Sequence, residues 1–226
     1  MTNFNIKLIA LATMLIDHTA VIFNLHEGYR AIGRIALPLF IYLIAEGCLH
    51  TKSIEKYLLR LGLFALISEI PYDLAFNENI SFLRNTNIFY TLWLGVAAVY
   101  FCKKVFNKNL VLSLIPLGLA MITAEVLSSD YGAIGVFFVF SIAVSGISET
   151  KHLSPKLLQL LLLTLFSVVL YANMPTPIYI IGSLMAIPII FFSNGKLGIP
   201  AKWIFYMFYP SHLLVLTFLS YILPRY

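Results

Sequence analysis

A lysine and a histidine stand eleven positions apart in the first apolar stretch, KLIALATMLIDH, as Lys7 and His18. Eleven residues make close to three helical turns, so both side chains fall on one helix face, about 16 Å apart along its axis. An imidazole titrates near neutrality and is the usual general base, which makes His18 the candidate for taking a proton from a nucleophile. Asp17 is its chain neighbour, about 100° round the helix, and cannot share that face. It is expected to pair with Arg34 or to orient a partner helix, and Arg34 is a cation placed where negative charge could develop. Glu46, Arg60, Glu69, Asp73, Glu125 and His212 also lie within or at the ends of apolar segments. Ionisable groups at membrane depth are costly and rare, and by default they mark a site.

These residues sit in an oily chain. Hydrophobic residues make up 60% of the 226 positions and charged residues 11%, against about 25% charged in a soluble domain. The composition therefore reads as a polytopic all-α membrane protein. Spans of roughly 20 residues consume most of the length, leaving a single integral-membrane domain over 1–226. Nine segments are expected, at 6–24, 31–49, 57–76, 86–106, 110–128, 131–148, 156–173, 177–193 and 203–223. Pro175, Pro177 and Pro188 make the eighth the weakest. The first lacks a small-residue cleavage site and reads as a retained span. Cys48 and Cys102 suggest no disulfide framework, and the five histidines are too scattered for a metal set. The basic excess is accounted for by orientation in the membrane, not by nucleic acid.

Basic residues collect on the cytoplasmic side of membrane proteins. Lys52, Lys56, Lys103, Lys104, Lys108, Lys151, Lys156, Lys196 and Lys202 follow the even-numbered segments; the opposite connections hold little beyond Arg30 and Arg84, with Arg225 at the far terminus. The N-terminus is thus expected inside. Lys7 then marks the inner end of the first helix and His18 lies near the midplane. His212, about 15 Å from Lys202, reaches a similar depth. Arg34, the i, i+4 pair Glu69 and Asp73, Glu125, Asp130 and Tyr131 fall at or outside that layer, while Glu46 and Arg60 fall inside it.

Each residue also has a purely structural reading. Asp17 with Arg34 is then a buried ion pair, weak evidence of stability in itself. His18 packs, Glu46 hydrogen-bonds between helices, and Arg60 snorkels to the headgroups. His212, just after Pro210, caps carbonyls freed by the proline. The run WIFYMFYP is read as lipid-facing and packing surface.

The chain resembles the TraX family of conjugal-transfer membrane proteins. The likeness is carried by KLIALATMLIDH at 7–18, GRIALPLFIYLIAEG at 33–47, TKSIEKYLLRLGLFALISEIPYD at 51–73, NIFYTLWLG at 87–95, DYGAIGV at 130–136 and KWIFYMFYPSHLL at 202–214. The founding member is associated with acetylating the N-terminal amine of a pilus subunit. The family is distantly similar to integral-membrane acyltransferases whose first helix carries a basic residue and, eleven positions on, a histidine. The resemblance implies a multi-pass protein of the bacterial inner membrane that moves an acetyl group from cytoplasmic acetyl-CoA to an amine or hydroxyl acceptor outside: a protein N-terminus, a lipid or a glycan. His18 would be the general base, with Asp17, Arg34, Glu125 and His212 as its catalytic company. Lys7, Lys52, Lys56, Arg60 and Lys202 would meet the CoA phosphates. Glu69, Asp73, Asp130 and Tyr131 would bind acceptor, and Glu125, Glu69 or Asp73 could instead hold the imidazole tautomer. Midplane carboxylates and histidines also build proton relays, so a proton-coupled or ion-coupled transporter is the alternative. An odd number of spans and the absence of an internal repeat fit that alternative poorly.

Overall fold

The computed structural model describes residues 1–77, 79–107, 109–147, 154–172, 174 and 176–223. Lys108, Lys151, His152, Pro175 and Arg225 lie outside the described residues. Among those described, every regular element is a helix: α1 (Asn3–Ile22), α2 (Glu27–Gly33), α3 (Ala36–His50), α4 (Ile54–Phe76), α5 (Ile88–Tyr100, extended by a π-helical turn at Phe101–Val105), α6 (Leu110–Val126), α7 (Gly132–Ile147), α8 (Pro155–Tyr171), α9 (Ile178–Leu184), α10 (Ala186–Phe191) and α11 (Lys202–Ile222). Each of the nine expected segments coincides with one helix or with a broken pair. The stretches Asn3–Ile22, Glu27–His50, Ile88–Val105 and Lys202–Ile222 are long and apolar enough to cross a bilayer. Four shorter apolar stretches accompany them, and α4 is long but carries Glu55, Lys56, Arg60, Glu69 and Asp73.

The helix starts are written locally. Thr2, Ser53, Asn87, Asn109 and Ser154 each accept a hydrogen bond from a backbone N–H two or three residues on, as N-caps do. Two breaks are written by proline. Pro38 cannot donate to the carbonyl of Arg34 and crowds it, so the second segment breaks at Arg34–Ile35. Pro188 does the same to Leu184, and the eighth segment breaks at Met185. The expected continuous spans over 31–49 and 177–193 are therefore each two helices. The broken pairs touch through α2 and α9, where Gly182 lies so close to the Ala31 carbonyl that a methyl group would not fit.

Helix α7 is the hub, packing on α3, α5, α6 and α8. Its Val136, Val139, Ile142 and Ala143 are fully buried, and Gly95 of α5 lets Val139 approach within 2.6 Å of where a Cβ would stand. The outer surfaces are apolar: Leu114, Ile115, Leu119 and Ile122 of α6 are all exposed. That sheath suits acyl chains rather than water. At one end the lysines meet helix C-termini. Lys103 Nζ donates to the Cys48 carbonyl at 2.8 Å, and Lys156 Nζ donates to the Phe191 and Ser193 carbonyls at 2.8 and 2.7 Å, completing orphan acceptors there. Cys48 and Cys102 are buried free thiols.

Candidate active site

Five helices, α1, α3, α4, α5 and α11, surround a cavity of about 370 Å³. Lys7, Leu11 and Met14 of α1 line it at i, i+4 and i+7. The next residue of that stripe, His18, lines a smaller cavity of about 50 Å³ together with Asp17, Arg34, Asp130 and Tyr131. Met14, Phe40, Ile88 and Tyr209 border both cavities, so the two are neighbours. The two cavities thus follow one another along one face of α1, a lysine lining the first and an imidazole the second.

The wide end is cationic. Lys7, Arg60 and Lys202 line it; Lys7 lies over the Phe205 ring and Arg60 over Tyr57. Among the described residues none of those Lys and Arg side chains has a carboxylate partner within 4 Å, and Arg60 Nε is buried with no hydrogen-bond partner. Glu46 does not reach a neighbouring helix; it meets His50 one turn on, at 3.4 Å. Lys52 is exposed and does not line the cavity, although Thr51 beside it does.

The narrow end is a polar cluster. Arg34 Nη2 pairs with Asp17 Oδ2, Arg34 Nη1 donates to the Tyr131 hydroxyl at 3.4 Å, and Arg30 Nε lies 4.0 Å from Asp17 Oδ1. The break before Pro38 puts Arg34 there, at a corner of the chain rather than along a helix side. His18 Nδ1 is 2.7 Å from His212 Nε2, although the two residues are 194 positions apart. His212 Nδ1 is 2.7 Å from the Phe208 carbonyl. A carbonyl only accepts, so His212 carries its proton on Nδ1 and, when neutral, offers Nε2 as an acceptor. His18 must then donate from Nδ1, which leaves its Nε2 as the free lone pair. Pro210 frees the Tyr206 carbonyl, not that of Phe208, so His212 is more than a cap for the proline kink.

Asp130 and Tyr131 ride on the connection between α6 and α7. That connection is tied down by Asp130 N–H donating to the Thr86 carbonyl at 2.9 Å, by the Thr91 hydroxyl donating to the Asp130 carbonyl, and by a Thr91–Ser129 hydroxyl contact at 3.0 Å. Burial pushes the Asp130 carboxyl up to about 6, with the Arg34 charge opposing. Glu125 is not brought to the imidazoles. It is exposed, and its Oε1 accepts the Ala133 N–H at 2.7 Å, capping α7 and fixing the turn that carries Asp130. Glu69 and Asp73 line neither cavity. Glu69 accepts from the Asn87 backbone at 3.2 Å and from its side-chain amide; Asp73 accepts from Asn77 Nδ2 at 2.6 Å and Ser81 N–H at 2.7 Å. Both carboxylates fasten the connection between α4 and α5.

The aromatic run before His212 is divided by helical phase. Trp203, Ile204 and Met207 face outward, whereas Phe205, Tyr206 and Tyr209 line the large cavity. Tyr209 also packs edge-on against His18 and His212, with ring centroids 5.9 and 5.7 Å away. Its spacing from Lys202, Phe205 and Tyr206 is the signal that separates it from the lipid face. Phe40 and Ile88 carry no comparable signal in an apolar segment.

An apolar sheath around charged residues and paired imidazoles defines a helical membrane protein with an internal polar site. The chain belongs to the TraX family: the family described as TraX protein matches residues 3–220. It is 29% identical over 231 residues to the probable fimbrial assembly protein FimC, serogroup H1, of Dichelobacter nodosus, an alignment covering 94% of this chain and 93% of that protein. No solved structure matches the chain.

Proposed function

We infer that this protein is a multi-pass acyltransferase of the bacterial inner membrane, carrying an acetyl or other acyl group from cytoplasmic acyl-CoA to an amine or hydroxyl on the far side. The observation that carries the reading is the pair of adjacent cavities along α1, the larger lined by Lys7, Arg60 and Lys202 and the smaller bearing His18. Lys7, Arg60 and Lys202 suit phosphates. The apolar walls suit the thin pantetheine arm, whose length is comparable to the Lys7-to-His18 distance of about 16 Å. Buried polar atoms without hydrogen-bond partners among the described residues, Arg60 Nε near one end and Arg34 Nε at the other, are groups that a ligand would satisfy. The relative named for fimbrial assembly fits a protein amine as acceptor.

In this reading the acceptor gives its proton to His18 Nε2 as its lone pair attacks the thioester carbonyl. Arg34 is near to offset the negative charge that develops there. The C–S bond then breaks, and the CoA thiolate takes the proton from His18. His212 is a positioning residue that fixes the His18 tautomer.

The test uses purified protein with radiolabelled acetyl-CoA and an amine acceptor. Free CoA and labelled acceptor are expected, and His18→Ala lowers turnover by at least about 100-fold while the protein still inserts and accumulates. Substrate-dependent proton flux into liposomes without CoA release would replace this reading with the transporter.

A further inference from the structure

We propose that Leu37 and Ala36, on the first turn of α3, set the longest acyl group that the site accepts. The proposal rests on the acyltransferase reading. With the phosphates at the cationic mouth and pantetheine in the large cavity, the thioester lies among the residues that border both cavities and the acyl tail points into the small chamber. That chamber has about 50 Å³, room for roughly three to five water-sized groups. The methyl and carbonyl of an acetyl group and the attacking atom of the acceptor fill it; a butyryl tail does not fit.

The chamber's walls differ in how far they can yield. Asp17, Arg34 and Tyr131 hold one another. At Gly33 the backbone is already so close that an added Cβ would stand 2.6 Å from Asp17 Oδ1. Phe40 borders both cavities, so altering it would disturb the donor arm as well. Leu37 and Ala36 are apolar and buried, and of the two cavities they line only the small one. They are the surfaces against which tail length is measured. The reaction is unchanged by tail length: the acceptor forms its bond to the acyl carbon, the C–S bond breaks, and the thiolate leaves with the proton.

The experiment uses the full chain in lipid nanodiscs with glycinamide as acceptor. Release of CoA thiol is followed from acetyl-, propionyl-, butyryl- and octanoyl-CoA. Wild type is expected to favour acetyl over butyryl by at least about tenfold in kcat/KM, and Leu37→Ala to raise the butyryl-to-acetyl ratio by at least about tenfold, the worth of a methylene or more in an apolar pocket. Ala36→Val shifts the profile the other way, lowering propionyl relative to acetyl. Leu37→Val reads the same opening at propionyl-CoA should the alanine variant not accumulate. Equal wild-type turnover of acetyl and octanoyl thioesters, or an unaltered profile in an active Leu37 variant, overturns the gauge and leaves the transferase standing. A wild-type protein that releases CoA from no thioester overturns the transferase, and the gauge with it.

Discussion

At the scale of single residues, the ring nitrogen that His18 keeps free is selected by two hydrogen bonds that begin at a main-chain carbonyl. Phe208 O fixes His212, His212 fixes His18, and neither imidazole needs a carboxylate to do so. The nearby carboxylates have other employment: Asp17 holds Arg34, and Glu125 holds a turn. Asp130 is the acid left facing the small chamber, in a connection outside the helices. Its carboxyl is pushed up to about 6 by burial. It is therefore neutral below that pH and charged above it. An amine acceptor arrives as an ammonium across that range and gives one proton to water before its lone pair attacks, so its KM is expected to fall as pH rises through about 6. Asp130→Asn should flatten that limb. A fall of the same size in the Asn variant would remove Asp130 from acceptor binding.

At the scale of elements, the helix breaks do the positioning. Pro38→Ala restores a hydrogen bond to the Arg34 carbonyl and lets α2 run straight into α3. Arg34 should then swing away from Asp17 and Tyr131, with turnover reduced by about 100-fold and helicity by circular dichroism unchanged or slightly raised. Wild-type turnover in this variant would show that the corner is dispensable. Much of this level is legible in the chain. Hydropathy marks the nine apolar segments, polar caps mark the starts, and each break stands three or four residues ahead of a proline, although Pro71, Pro116 and Pro210 leave their helices unbroken. What is not legible is azimuth. Depth along a helix can be counted in residues, and it puts His18 and His212 at one level. Which helix faces which is decided by packing between helices far apart in the sequence, α1 on α11 among them. Depth likewise puts Glu125, Glu69 and Asp73 in the right layer, but connections fold back on them and take up their oxygens. Positive φ at Ser128, Tyr131 and Gly132 closes the turn on Glu125, and no spacing rule announces it.

At the scale of the whole molecule, the charge asymmetry and the cavity point the same way. The lysines that meet the C-terminal carbonyls of α3 and α10 stand on the side expected to be cytoplasmic, where the cationic mouth also opens. A cysteine introduced at Lys52 should be labelled by a membrane-impermeant maleimide only in inverted vesicles, and one at Ser81 only in intact spheroplasts. Cys48 and Cys102 are buried, so background labelling is low. Labelling of both positions from one side would overturn the orientation and with it the assignment of donor and acceptor compartments.

The hydrogen-bonded chain through the paired imidazoles has one more implication. It terminates on a peptide oxygen, which cannot take up a proton and hand it onward. What enters at His18 must exit at His18, so the pair is a cul-de-sac and not a wire across the membrane. Under the proposed transfer, turnover through it would be electroneutral: the hydrogen lost by the nucleophile would go home with the departing thiol, and neither compartment would be acidified by way of the histidines.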